Sequence, residues 1–405
     1  MDAVTLGMAK ADARRQVTAA SRRQLIPVAS RARLPFNFSG PLSDGVVMGG
    51  TSRVFHTMTA TAHGLILGFP NFYNNAGQET PGPNAITVSA SVEIAFGVFV
   101  PVHFNGQASV TIQPGAMVYS DPVGVNLVKG ATFWTRTHVT VASAGMKFPV
   151  ALYSNLNGEG ADYSATPVDK TASGTVTSGT TTHMYEPGVI LGAPKVPGGA
   201  VILGVGDSIM AGSGDSGAAG LDTGWFLRAI NNAYPTHLVA YASEAPLSWT
   251  SSSGIYSARR KATVERVGAT HIVCEHGING VSATGWQANI DALWAQLAIY
   301  GLPIYQTTLT PKTTSTDAWA TAGNQAVSAD EARRVAFNTY VRTTPSPLAG
   351  YIEVADYAET SRNSGIWRAA YTTDGLHPNA TAAAAIAAAA LPGSLQTTLF
   401  GAAPA

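Results

Sequence analysis

Ser208, Asp374 and His377 are the residue types that an activated serine nucleophile needs around it. A serine hydroxyl attacks well only when an imidazole takes its proton, and the imidazole needs a carboxylate to fix its tautomer and stabilise the imidazolium. In Asp374-Gly375-Leu376-His377-Pro378-Asn379 the carboxylate and imidazole stand three residues apart, so one turn can present both. Gly204-Val205-Gly206-Asp207-Ser208-Ile209 places the serine behind glycines that permit a tight turn, with Ser208 N–H free to face a developing oxyanion. Glu275-His276-Gly277-Ile278-Asn279-Gly280 offers a side-chain amide, Asn279, for the same oxyanion. Each segment alone has an ordinary explanation, because Gly-Asp-Ser and Asn-Gly are common turn sequences and an Asp-His pair can cap a helix. Together they describe acyl transfer through a covalent intermediate, with no metal or other cofactor required.

The elements that must position these residues follow from patterning. After residue 198, apolar runs Ala200 to Val205, Leu238 to Tyr241, His271 to Cys274, Leu302 to Tyr305 and Tyr351 to Val354 alternate with helical stretches, including one near Gly224 to Asn232. Five such strands predict an α/β unit with a parallel sheet, and reactive groups gather at the C-terminal ends of its strands. The alanine-rich stretch Ala380 to Leu391 reads as the closing helix. From about residue 46 to 190 the period is two, as in Ile86, Val88, Ala90, Val92, Ile94 and Phe96, with turn signals between the runs. This predicts an all-β sandwich or jelly roll. Thr171 to Thr182, almost wholly Thr, Ser and Gly, reads as a loop or linker near the domain boundary. Among the aromatics of this region, Phe72, Tyr73, Phe133 and Trp134 are of a type that stacks on sugars, with core packing the expected role.

Residues 3 to 24 carry only one glycine and no proline, which predicts a helix ended by Pro27 and Pro35. The segment to Arg33 holds Lys10, Arg14, Arg15, Arg22, Arg23, Arg31 and Arg33 against Asp2 and Asp12, a basic arm suited to a solvated face or to docking on a partner. The expected division is therefore an arm and linker over 1–45, a β-domain over 46–190 and a hydrolase unit over 198–405. Charged residues make up 12% of the chain, against about 25% in ordinary domains, and the formal net charge is zero. That excludes a nucleic-acid binder driven by phosphate contacts. No apolar leader core precedes the arm and no stretch is long enough to span a bilayer, so a soluble protein without a signal peptide is expected. The lone Cys274 has no intrachain partner for a disulfide and reads as a buried small hydrophobe.

In this order, each at a strand end, the three chemical segments resemble the SGNH hydrolases, also called GDSL lipases or esterases, over roughly residues 198 to 392. The resemblance implies a flavodoxin-like α/β/α sandwich, with Ser208 as nucleophile, Asn279 as oxyanion donor, and Asp374 and His377 as acid and base. Gly224-Trp225 and Arg333 to Asn338 agree with it. The second block departs from the family, because Tyr241-Ala242-Ser243-Glu244-Ala245-Pro246 lacks the usual glycine donor. Ser243 in its place still offers a backbone N–H, whereas Pro246 has none; Ser243 is the favoured alignment. The third block ends in Gly280 where the family usually has Asp, so altered activity is in view. Ser109 to Ala116 followed by Ser120-Asp121-Pro122 resembles the β-module ahead of the catalytic domain in some bacterial SGNH proteins. Val4 to Ala13 resembles the start of minor tail proteins of actinobacterial phages. These resemblances imply an esterase on a virion, joined to other tail proteins by the basic arm, often as a homotrimer, and acting on host-envelope carbohydrate or lipid. The small polar loop Ala211 to Gly220 favours acetyl over a long acyl chain. The competing implication is a receptor-binding or structural virion protein that keeps the fold without turnover.

Overall fold

The computed structural model describes residues 25–35, 42–152, 158–176, 183–216, 223–230, 232–250 and 257–405. The helix expected over 3–24, the phage-like residues 4–13 and part of the loop after Ser208 lie outside these.

The first unit is two antiparallel sheets. Its strands are β1 (Ile26–Pro27), β2 (Gly49–Thr57), β3 (Ala62–Pro70), the hairpin β4 (Phe72–Asn75) and β5 (Gln78–Pro81), β6 (Ile86–Ala95), β7 (Val98–Pro101), β8 (Val110–Ile112), β9 (Met117–Tyr119), β10 (Val123–Leu127) and β11 (Thr132–Thr140). The short β12 (Ala151–Leu152) and β14 (His183–Met184) pair with each other, while β13 (Gly160–Ser164) and β15 (Val189–Pro194) complete the sheets. One sheet runs β1-β15-β3-β10 with β9 on β3, and the other β13-β2-β11-β6-β7 with β8 on β6. Alternation explains the packing: Ile86, Val88, Ala90 and Val92 of β6 enter a core shared with Leu65, Leu67 and Phe69 of β3. The pattern outruns the sheet, since β6 ends at Ala95 and leaves Phe96 83% exposed at the hairpin tip. Phe72 and Phe133 are fully buried, and Trp134 lies beneath the Arg53 guanidinium, 4.2 Å from its ring centroid.

Two expectations are corrected here. The sandwich begins before residue 46, because β1 pairs with β15 and Val28, Ala29 and Leu34 are buried. Arg31, counted with the basic arm, is buried and forks onto Glu159 at 2.9 and 3.0 Å. The end moves too, from 190 to Pro194, and the described part of the Thr171 run, without strand or helix, is tied to the sandwich where Ser91 and Arg136 bond its carbonyls at Thr171 and Gly174.

The second unit is a parallel five-stranded sheet of β16 (Ile202–Val205), β17 (Thr236–Leu238), β18 (His271–Cys274), β19 (Ile304–Thr307) and, after the small hairpin β20 (Thr313–Ser315) and β21 (Gln325–Val327), β22 (Gly350–Ile352). Its order is β17-β16-β18-β19-β22, which is 2-1-3-4-5 within the unit. The helix Trp225–Ile230 packs on Ala380–Ala390, and Pro246–Thr250 packs on Trp286–Ala298. Trp225, Phe226, Trp294 and Ile386 meet the strand residues in one core.

The second strand lies two residues earlier than its apolar run. Val239 and Tyr241 instead donate to the carbonyls of Gly204 (2.9 Å) and Gly206 (3.2 Å), so tertiary packing beside the loop that follows β16 buries the rest of the run. The fourth strand starts later, at Ile304, because the buried ladder takes in Gln306 and Thr307. Ala380–Ala390 is not the last helix. Gly393–Phe400 follows it and buries Phe400 against Tyr234 and Tyr305. No single helix among the described residues is long and apolar enough to cross a membrane.

Candidate active site

In a 2-1-3-4-5 sheet the strand order reverses between the first and third strands, and the crevice beyond their carboxyl ends is the favoured ligand site. Ser208 follows β16 and Glu275 to Asn279 follow β18, so both chemical segments open onto that crevice. Ser208 is 3% exposed at the start of a tight turn. The turn is held from beneath: Glu275 Oε2 accepts Met210 N–H at 3.1 Å and Asp207 N–H at 3.4 Å, and Asp207 Oδ1 accepts Ile209 N–H at 3.0 Å. Ser208 N–H bonds no described residue. Asp215 forks onto Arg228 at 2.6 Å twice and accepts Gly224 N–H at 2.8 Å, which anchors the loop to the following helix.

Asp374 and His377 come from the loop ahead of Ala380–Ala390. Asn379 caps that helix by accepting Ala382 N–H at 3.1 Å, and its amide donates to the Ala370 carbonyl at 2.7 Å. Gly375 stands at φ +79°, where a Cβ would lie 1.9 Å from the Thr313 carbonyl oxygen, so only glycine lets the loop close here. His377 Nε2 is 2.9 Å from Ser208 Oγ, and His377 Nδ1 is 2.6 Å from Asp374 Oδ2. The other carboxylate oxygen, Oδ1, accepts N–H from Leu376 (2.9 Å) and His377 (2.8 Å) and the Thr372 hydroxyl (3.2 Å). Partial burial would raise the Asp374 pKa, but these hydrogen bonds overcome it and hold the carboxyl below the usual range. Asp374 is thus an acceptor throughout neutral pH, and His377 Nδ1 carries the hydrogen in their bond. That leaves Nε2 as the acceptor for the Ser208 proton.

Ser243 stands at φ +62°, the left-handed conformation that favours glycine. Pro246 opens the helix Pro246–Thr250 and packs on Gly280, where a Cβ would lie 2.9 Å from its Cδ. Proline at 246 thus occupies the space that a side chain at 280 would need. Asn279 Nδ2 donates to the Glu244 carbonyl at 3.0 Å, which ties the two loops and leaves its second amide hydrogen uncommitted among the described residues.

Sequence reasoning missed the buried acids around this site. Burial pushes Asp207 up to about 7 and Glu275 well above the carboxylate range, each raised further by acidic neighbours. Glu244 is likewise raised to about 7 by burial, against the pull of Arg260. The position of Glu275, opening a loop at a strand end, was its only signal. Cys274 is fully buried and burial raises its thiol pKa. Among the described residues no acidic, histidine or cysteine cluster is fit to hold a metal.

No family model matches the chain, and no curated protein does. Among solved structures it is similar to a GDSL-like lipase from Bacteroides thetaiotaomicron, at 14% identity and TM-score 0.33 over 49% of this chain and 88% of that one. It is similar also to an acetyl xylan esterase from the rumen bacterium Butyrivibrio proteoclasticus, at 13% identity and TM-score 0.32 over 94% and 96%. A salicylyl-acyltransferase from a tetracycline biosynthetic pathway gives 12% and 0.33 over 87% and 82%. Likenesses this distant assign neither a family nor an activity.

Proposed function

We propose that the chain is a serine esterase of the SGNH/GDSL type. Ser208 Oγ attacks the ester carbonyl while His377 Nε2 takes its proton and then delivers it to the departing alcohol. Asp374 holds Nδ1–H and stabilises the imidazolium. Ser208 N–H, Ser243 N–H and Asn279 Nδ2 face the oxyanion. Water deprotonated by His377 then releases the acyl group from Ser208. The observation that carries this reading is the hydrogen-bonded chain from Ser208 through His377 to Asp374, at 2.9 and 2.6 Å. The test is hydrolysis of p-nitrophenyl acetate and butyrate beside Ser208→Ala and His377→Ala. Turnover that is lost in both variants supports the esterase; turnover unchanged in Ser208→Ala overturns it.

The substrate we infer is a short acyl ester, acetyl first, on host cell-envelope carbohydrate or lipid, with the protein carried on a phage tail by its basic arm as a homotrimer. The resemblance of residues 4–13 to minor tail proteins and the small polar residues after Ser208 support this. The β-unit reads as a jelly roll, a reading supported by strands that alternate between β1-β15-β3-β10 and β2-β11-β6-β7. A non-catalytic receptor-binding virion protein is the second reading, favoured by a serine where the family has its donor glycine. Electron microscopy and mass analysis of purified particles decide virion attachment, and absence of the protein from them refutes it.

A further inference from the structure

Among the contacts between the sandwich and the α/β unit is the hairpin β4–β5, and what the hairpin grips is the loop carrying Ser243. Asn74, 3% exposed, uses both ends of its amide. Oδ1 accepts Gly77 N–H at 2.9 Å and closes the hairpin turn, while Nδ2 donates to the Ala242 carbonyl at 2.9 Å. Gly77 lies against the same loop at φ +81°, with the space for a Cβ only 2.5 Å from the Ser243 carbonyl oxygen. Two residues further on, the buried Glu79 accepts the backbone N–H groups of Arg259 and Arg260, each at 2.9 Å. The fully buried Arg260 guanidinium in turn forks onto the Glu244 carboxylate. Asn279 Nδ2 holds the Glu244 carbonyl.

The Ala242 carbonyl and the Ser243 N–H belong to one peptide group. Because that group is planar and trans, its C=O and N–H point in opposite directions, and fixing one aims the other. A donor placed on the carbonyl also polarises the N–H and makes it a stronger donor. We propose that Asn74 is a positioning residue for the ester reaction, which aims the Ser243 N–H at the oxyanion by holding the Ala242 carbonyl. The β-unit is then part of the catalytic apparatus and not a tethered accessory. The left-handed Ser243 is the position that needs such support, because a residue other than glycine has no intrinsic preference for that conformation. The proposal rests on the esterase reading with Ser243 as donor.

The test uses the full chain with Asn74→Ala and Asn74→Asp; the second keeps an acceptor for Gly77 N–H and so preserves the hairpin turn, but cannot donate to Ala242. Turnover of p-nitrophenyl acetate and amide hydrogen exchange of the peptide covering residues 242–245 are read together. Removing one oxyanion donor costs about 10²–10³ in kcat, and a misaimed donor costs less. The expected result is a kcat about 10- to 100-fold lower in both variants, with KM within about twofold, and faster exchange in that peptide, both read well below each variant's melting midpoint, which falls because buried partners of Asn74 lose a hydrogen bond. Wild-type kcat in Asn74→Asp, a loss that falls on KM, or unchanged exchange in the 242–245 peptide overturns the proposal. Should the wild-type chain hydrolyse no ester, the esterase reading fails separately. The exchange arm then decides whether Asn74 holds the peptide, with unchanged exchange refuting it and faster exchange supporting it.

Discussion

Replacing Asp374 by asparagine tests the triad more sharply than deleting it. Oδ1 accepts three hydrogen bonds, from Leu376 N–H, His377 N–H and the Thr372 hydroxyl, whereas among the described residues Oδ2 bonds only His377 Nδ1. In Asp374→Asn the amide oxygen must therefore take the Oδ1 place. Turning the NH₂ group there would set it against two backbone donors, at about 1–3 kcal/mol for each donor left unpaired. The NH₂ group then points at His377 Nδ1 and makes it an acceptor, which moves the imidazole hydrogen to Nε2. A protonated Nε2 cannot take the Ser208 proton. The tautomer error in the Ser-His-Asp template costs about 10⁴ in kcat, or ~5.5 kcal/mol of transition-state stabilisation. Asp374→Ala frees both tautomers, and with the Asp374 side chain 48% exposed, water can reach Nδ1 in its place. Asp374→Asn should accordingly be at least as damaged as Asp374→Ala, with both melting near the wild type. Steady-state kcat for p-nitrophenyl acetate in the two variants is the assay. An Asp374→Asn enzyme within about tenfold of wild type would refute the tautomer argument, as would one clearly faster than Asp374→Ala.

Ser243→Gly keeps the backbone N–H and removes a side chain from the left-handed region, which costs a non-glycine residue about 1 kcal/mol; stability should rise by a comparable amount with turnover retained, and a loss of either would place the serine side chain in the site. Glu186, buried in the sandwich with its pKa pushed by desolvation from 4.5 to about 8, binds a proton in the folded state that the unfolded chain has released. Its stabilising share is complete below pH 4.5 and lost as pH rises to about 8, at about 1.4 kcal/mol per pH unit in that window. Glu186→Gln should remove that slope from urea midpoints taken across the window, and equal slopes in the two proteins would contradict the assignment. Cys274, fully buried with its thiol pKa raised, should resist iodoacetamide in the native protein and react after unfolding; native labelling would show that β18 opens.

Much of the site is legible in sequence because its residues sit where chain direction changes. A serine just past an apolar run, and an Asp-His pair just before an alanine-rich helix, fall at strand and helix ends under any packing of those elements. Strand alternation in β6 is legible for the same local reason, and fails at its end, where a register shift after Glu93 and the hairpin tip leave Ile94 and Phe96 exposed. What stays hidden is long-range. Asn74 and Ala242 are 168 residues apart, and Arg31 and Glu159 are 128 apart. Nothing in either neighbourhood signals its partner, and a buried ion pair reads in sequence as two surface charges. The apolar run Leu238 to Tyr241 misled because burial against the loop after β16 produces the same composition as a strand.

The acids beneath Ser208 bear on the chemistry through charge. Asp207 and Glu275 are buried and both hold the turn through backbone N–H groups; burial raises both pKa values, and the Asp207 charge raises that of Glu275 further. Two adjoining carboxyl groups out of water retain a proton between them, so the pair carries one negative charge near neutrality. The charge of His377 lowers Asp207 while Glu244 raises it, which places the pair within electrostatic reach of the imidazole. As pH rises and the retained proton leaves, a second negative charge appears behind Ser208, where the transition state must gather negative charge on the substrate oxygen. Activity should then fall on the alkaline side. Glu275→Gln holds that charge at one: its amide oxygen still accepts from Met210 and Asp207, its NH₂ group donates to the Asp207 carboxylate, and no second ionisation remains. The variant should keep turnover near neutrality and lose the alkaline decline in a kcat profile taken from neutral to alkaline pH. An identical decline in Glu275→Gln would locate it in another group, and a collapse of turnover at every pH would mean that the carboxyl holds the turn in a way an amide cannot.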